Sequence, residues 1–278
     1  MRRLLLIECQ KLWLNKLSRS LIIIYFFLLT SIALIATLEF ELGPIKINIA
    51  DEGIFNFPYI WHFNTYIASL FKLFLAILVI SMIANEYNNR TLKQNLIDGL
   101  SKKEFIISKF LVVTTISLCS SVFVFMTSLV LGLLFSEKTT LNLVFTDCEF
   151  IIAYFIKHIG FLSFCIFIGI LIKRSAFALG FLILWNILEW IMYGLLNWGF
   201  GIESSMPENI ANFFPFRAMS NLIDKPFTRL STVKNIAKQV GEKLDYNYTM
   251  QWQEPIIVLS LSLLFMFLSY KLLLKRDL

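Results

Sequence analysis

Charge is scarce in this chain: Asp, Glu, Lys and Arg make up 16% of its 278 residues, where about 25% is usual in soluble domains. A soluble domain of this size would lack the polar surface needed to cover its apolar side chains. Intrinsic disorder is excluded for the opposite reason, since it needs low hydrophobicity and high net charge. Cysteine is rare as well, with Cys9, Cys119, Cys148 and Cys165 only. None forms a CxxC pair, and Cys119 and Cys165 lie inside apolar blocks, so neither a zinc site nor a disulfide framework is encoded. Histidine occurs twice, and neither His62 nor His158 belongs to an HExxH pattern. His62, among aromatics at the mouth of an apolar block, reads as an interfacial side chain. No GxxxxGK[ST] loop is present, so ATP hydrolysis by this chain is not expected. There is no GxSxG elbow, no paired carboxylate within an inner span, and no repeat of the kind that builds many secondary transporters. No catalytic residue, metal or cofactor is therefore assigned to the chain itself.

What is present is apolar: 58% of residues are hydrophobic, with 28 phenylalanines. These residues gather in uncharged blocks long enough to cross a bilayer, which needs about 20 helical residues. The expected fold is all-α and polytopic, with six transmembrane helices in one transmembrane domain over residues 1–278. The spans are Leu21–Leu38, about Asn64–Ala84, Phe110–Phe135, about Ile151–Ile172, about Ala176–Leu196 and Pro255 to about Leu274. Residues 1–19 form an interfacial helix, 20–196 carry spans one to five, 197–254 form an outer loop, and 255–278 hold span six and a tail. The first block is longer than a signal-peptide core and no small-x-small site follows it, so cleavage is not expected.

The net charge of +6 reflects basic residues clustered beside the apolar blocks. That placement indicates topology and lipid headgroups as its cause, with no nucleic-acid partner. Arg2, Arg3, Lys11, Lys16 and Arg19 precede span one, and Arg90, Lys93, Lys102, Lys103 and Lys109 lie between spans two and three. Lys173 and Arg174 separate spans four and five, and Lys271, Lys275 and Arg276 end the chain, whereas the two short opposite loops hold only Lys46 and Lys138. The bias places both termini in the cytoplasm.

Three segments lie outside the spans. Residues 1–17 read as an amphipathic helix in the headgroup plane, with Glu8, Lys11 and Asn15 on a narrow polar stripe. Thr91–Asp98 reads as a short helix stopped by Gly99, and Ser101 with Glu104 forms a capping box for the next. The loop before span six allows helices at Asn209–Phe214 and Arg229–Leu244, the latter with an apolar face. Asn247-Tyr248-Thr249 matches the glycosylation triplet, a short pattern that arises often by chance.

Three charges interrupt the spans. At about 1.5 Å per residue, Lys157 lies roughly 9 Å, Glu189 roughly 10 Å and Lys72 near 12 Å below the outer surface. They share one layer with His158. Glu189, too short to snorkel, is expected to pair with Lys157, leaving Lys72 to line an outer pathway and favour an anionic substrate group.

The order Glu86, Thr91-Leu92, Gly99, Ser101-Lys102-Lys103 and Lys109, within this span layout, resembles the permease subunit of ABC-2 type ABC transporters. The variant here is most similar to permeases of Bacteroidetes-type bacteria. The resemblance covers most of the chain. It implies an elbow helix, a cytoplasmic coupling helix and a helical outer loop before span six. It also implies a homodimer or pseudo-symmetric pair, with a separate ATPase holding ATP and Mg under each permease, and export as the usual activity. Glu86, Arg90, Thr91, Leu92, Lys93, Gly99, Ser101 and Lys102 would then form the ATPase-coupling segment. Two other classes are compatible with the residues: an ion-coupled secondary transporter using Lys72, Lys157, His158 and Glu189, and a non-transporting component of an ATPase-linked complex.

Overall fold

A computed structural model describes residues 2–35, 39–42, 45–48, 53–201, 206–229, 248 and 250–276. Most of the expected helix at 229–244 and of the 247–249 triplet lies outside the described residues.

The chain opens with α1 (Arg2–Leu14), which meets α2 (Lys16–Ile35) at 89°. Asn15 makes that corner: its Oδ1 accepts from the backbone amides of Leu17 (3.0 Å) and Ser18 (3.2 Å), capping α2. A short antiparallel hairpin follows, β1 (Glu39–Leu42) with β2 (Ile45–Asn48), Glu39 opposite Asn48. Then come α3 (Tyr59–Leu70) and α4 (Lys72–Asn88), bent by 43° at Phe71, and the small α5 (Thr91–Ile97). The longest helix, α6 (Lys102–Phe135), has 34 residues and so a length of about 51 Å. It begins two turns before the apolar block that forms span three. The rest is helical too: α7 (Leu141–Phe145), α8 (Glu149–Ile172), α9 (Ser175–Phe200), α10 (Met206–Ala211), α11 (Pro215–Asn221), a 3-10 turn (Pro226–Arg229) and α12 (Gln253–Leu274).

Among the described residues four helical stretches are long and apolar enough to cross a membrane, and the bent pairs α1–α2 and α3–α4 bring the number to six when each pair is one span. The protein is an all-α multi-pass membrane protein, with the hairpin as a minor addition. The α7–α8 stretch is the hub, with 78% of its apolar window buried, whereas α9 has 11% buried. Small residues let α8 approach its neighbours closely. A Cβ on Gly160 would come within 2.5 Å of Val258 Cγ1 on α12, and one on Gly169 within 3.1 Å of Ile83 Cβ on α4. Hydroxyls lock the bundle internally. Tyr25 on α2, Ser120 on α6 and Tyr154 on α8 form a closed triangle, with oxygen distances of 2.5, 2.8 and 2.8 Å. Asn64 on α3 donates to Ser128 on α6 at 2.9 Å.

The first and last described segments, α1 and the end of α12, sit at one end of the bundle. Lys102 at the start of α6 donates to the carbonyl oxygens of Leu274 (3.4 Å) and Arg276 (3.1 Å). The Arg276 guanidinium in turn donates to the carbonyls of Ile170 and Leu171, capping the last turn of α8. At the other end, Asp147 binds Arg229 at 3.0 Å, and α10, α11 and the 3-10 turn cover the mouths of the spans.

Candidate functional site

At the end shared by α1 and the end of α12, four charges from three helices form one neutral network. Lys109 on α6 is fully buried and donates to Glu8 Oε2 on α1 (2.5 Å) and Glu86 Oε1 on α4 (2.8 Å). Lys11 on α1 closes the figure, binding Glu8 Oε1 (3.2 Å) and Glu86 Oε1 (3.1 Å). Thr91 Oγ1, at the start of α5, donates to Glu86 Oε2 at 2.5 Å. A buried ammonium with two carboxylates in contact is compensated, whereas removing one member of such a network leaves a costly unpaired charge. The elbow, the ends of α4 and α6, and the short helix between them are thereby tied together.

The short helix α5 is built by local rules. Arg90 precedes it in the left-handed conformation, with φ of 56°. At its other end Gly99 has φ of 98°, its amide donates to the Leu96 carbonyl (3.3 Å), and the Leu100 amide donates to that of Asn95 (2.9 Å). That pair of bonds is a Schellman stop, and the positive φ is why glycine stands there. Ser101 then caps α6: its Oγ accepts from the Glu104 amide (3.1 Å), while Glu104 Oε2 accepts from the Ser101 amide (2.9 Å). Leu92 is buried, but Arg90, Lys93, Gln94, Gly99 and Ser101 are exposed, and Ile97 is 75% exposed.

At the opposite end, Lys72 and Lys157 line a 390 Å³ cleft between α3–α4, α8, α9 and α11. The Lys72 ammonium lies 4.8 Å from the centre of the Phe161 ring. Glu189 on α9 stands nearby and accepts three kinds of donor: Trp185 Nε1 (2.7 Å), the Phe216 amide (3.0 and 3.1 Å) and the Arg217 amide (3.2 Å). Those amides open α11, which starts at Pro215. Outside the spans, burial raises the Asp224 carboxyl above its ordinary range, while the charge of Lys157 lowers it in part. Among the described residues no three His, Cys, Asp or Glu side chains gather into a metal site.

A family model for ABC-2 family transporter proteins matches residues 17–278. The chain belongs to that family. No curated protein is significantly similar to it. As a member, it is the membrane permease component of an ABC transporter, the transmembrane part and not itself catalytic. The match begins after α1, so the role of the elbow rests on its own contacts.

One expectation about the permease needs correction. Glu189 does not pair with Lys157; its carboxylate caps α11, because the first amides of a helix have no internal acceptor and a carboxylate is favoured there. The elbow's polar stripe turns partly inwards, with Lys11 still exposed. Glu8 is buried against α4 and α6, while Leu6, Trp13 and Leu14 are more than half exposed. A buried Lys109 and Glu86 give the stripe better partners than water. The remaining assigned residues divide into three groups. Glu86, Thr91 and Leu92 face inwards and hold α5, Lys102 fastens the carboxy-terminal end, and Arg90, Lys93, Gly99 and Ser101 stand outwards. His62 is buried, stacked on Phe150 at 4.2 Å with Nε2 2.8 Å from the Asp224 carbonyl. Sequence reasoning missed Glu8 and Lys11 as network members, although their i, i+3 spacing on a polar stripe was visible.

Proposed function

We propose that the permease forms the membrane half of an ATP-driven exporter in the bacterial inner membrane, working as a dimer and driven by a separate ABC ATPase that docks on α5. The carrying observation is the split personality of α5. Its outer face offers Arg90, Lys93, Gln94 and an exposed Ile97, while its inner face is bound through Thr91 and Glu86 to the buried ion network. A short helix held this way transmits a push to α4, α6 and α1 as one body, since the network resists separate movement of its members. The basic outer face supports an acidic docking groove on the ATPase. The nearly unburied α9 supports a face available to lipid or to the second copy. Our reading takes export as the direction and both termini as cytoplasmic, which the Lys- and Arg-rich short connections at the α5 end support.

The test is purification of the tagged permease from its native membranes. A P-loop ATPase should come with it, and Arg90→Glu combined with Lys93→Glu should release that ATPase while the permease stays folded. A permease that retains its ATPase in the double variant, or never carries one, contradicts the docking assignment.

A further inference from the structure

We propose that the cleft holding Lys72 and Lys157 is a binding site for a phosphate-type anion, carried on an apolar ligand that enters sideways from the membrane. Both lysines line the cleft, Lys157 is 4% exposed, and neither makes a hydrogen bond or ion pair among the described residues. Lys72 acts on Lys157 through space, so two basic side chains share an apolar pocket with no contacting carboxylate among the described residues. The carboxylate best placed by sequence to neutralise them, Glu189, is taken by the amides that open α11. Asp224 acts on Lys157 only through space, and its backbone carbonyl serves His62. The break at Phe71 brings Lys72, the first residue of α4, into the wall of the cleft. Around this charge the lining is largely aliphatic and aromatic. Ile183 and Ile187, on the α9 wall, are 60% and 52% exposed, which leaves the cleft open towards lipid. The 390 Å³ suits a charged headgroup and the first part of a tail. The inference rests on the permease reading only for calling this ligand cargo, because binding itself needs no ATPase.

The experiment uses the full chain in an uncharged maltoside detergent, titrated by calorimetry with dioctanoyl phosphatidic acid, dioctanoylglycerol and sodium phosphate. Phosphatidic acid should bind and the uncharged glyceride should not. Lys72→Gln and Lys157→Gln should each weaken binding by about tenfold, the scale of one lost charged hydrogen bond. Asp224→Asn should tighten it, and Lys271→Gln, at the far end of α12, should leave it unchanged. Displacement by free phosphate assigns the site to the anion alone; binding that phosphate does not displace assigns it to the tailed headgroup. Equal binding of the glyceride, or equal losses for Lys271→Gln and Lys72→Gln, overturns the proposal. Should Lys157→Gln fail to fold, Asn186→Asp places a negative charge on the same wall and must weaken binding; unchanged affinity there refutes the site. Because no ATPase is present, failure here leaves the docking assignment untouched, and failure of docking leaves this measurement intact.

Discussion

Lys109 shows how much a single buried charge organises. It is fully buried and contacts Glu8 and Glu86 together, so its loss would leave two carboxylates facing Lys11 alone. Lys109→Met is expected to destabilise the protein by about 3–5 kcal/mol, the range for breaking one side of a buried ion network. Adding Glu8→Gln should recover part of that loss, since one carboxylate then matches Lys11. Thermal unfolding in detergent reads both, and a double variant no better than Lys109→Met alone would deny that the charges act as a set. Glu189 makes the complementary case. Glu189→Ala strips an acceptor from two backbone amides and an indole and should cost about 1–3 kcal/mol, whereas Glu189→Gln keeps an oxygen for them and should cost less. Exchanging the charges of Lys157 and Glu189 should give no rescue over the single swaps, because the two side chains serve different partners. A restored folded yield in that double swap would revive the direct pair.

At the scale of elements, α8 and α12 touch where a glycine permits it. Gly160→Ala would drive a methyl group against Val258 Cγ1 and is expected to cost about 1–3 kcal/mol, as overpacking does. Val258→Ala in the same chain should relieve most of it; persistence of the full loss would mean that the contact is not what limits the approach. This contact also marks the limit of what a sequence discloses. The spans were legible because an apolar run has a length, and the α5 segment was legible because its stop and cap use local chemistry: Gly99 at positive φ, Ser101 and Glu104 three apart. The elbow was legible as a helix from its stripe. Its orientation was not, since that depends on Lys109, a hundred residues away. The fate of Glu189 was hidden for the same reason, because its acceptor role needs α11 folded back from the loop onto α9. The break at Phe71 left no mark either: no proline or glycine stands there, and hydropathy runs through it.

The whole molecule has one basic end. The elbow, α5, the start of α6 and the carboxy-terminal residues meet there through Lys11, Lys109, Lys102 and Arg276, and Arg90, Lys93, Lys103, Lys173 and Arg174 stand in the same turns and helix ends. The other end, with Asp147, Glu149, Glu208, Asp224 and Glu254 among its residues, mixes its charges. Short connections rich in Lys and Arg stay on the cytoplasmic side during insertion, so the basic end is expected inside, where ATP is found. Cysteines report this directly. Cys9 lies in the elbow at the basic end, and Cys148 lies at the opposite end, just before α8; both are partly accessible. Cys165 is buried, and Cys119 is exposed midway along α6, inside its apolar stretch, where water-borne reagents are not expected to reach. In single-cysteine variants on intact cells, an impermeant maleimide should therefore label Cys148 and spare Cys9, and permeabilising the cells should bring Cys9 into reach. Labelling of Cys9 with Cys148 spared would turn the protein over, put α5 on the side without ATP, and remove the physical basis for an ATPase docking there.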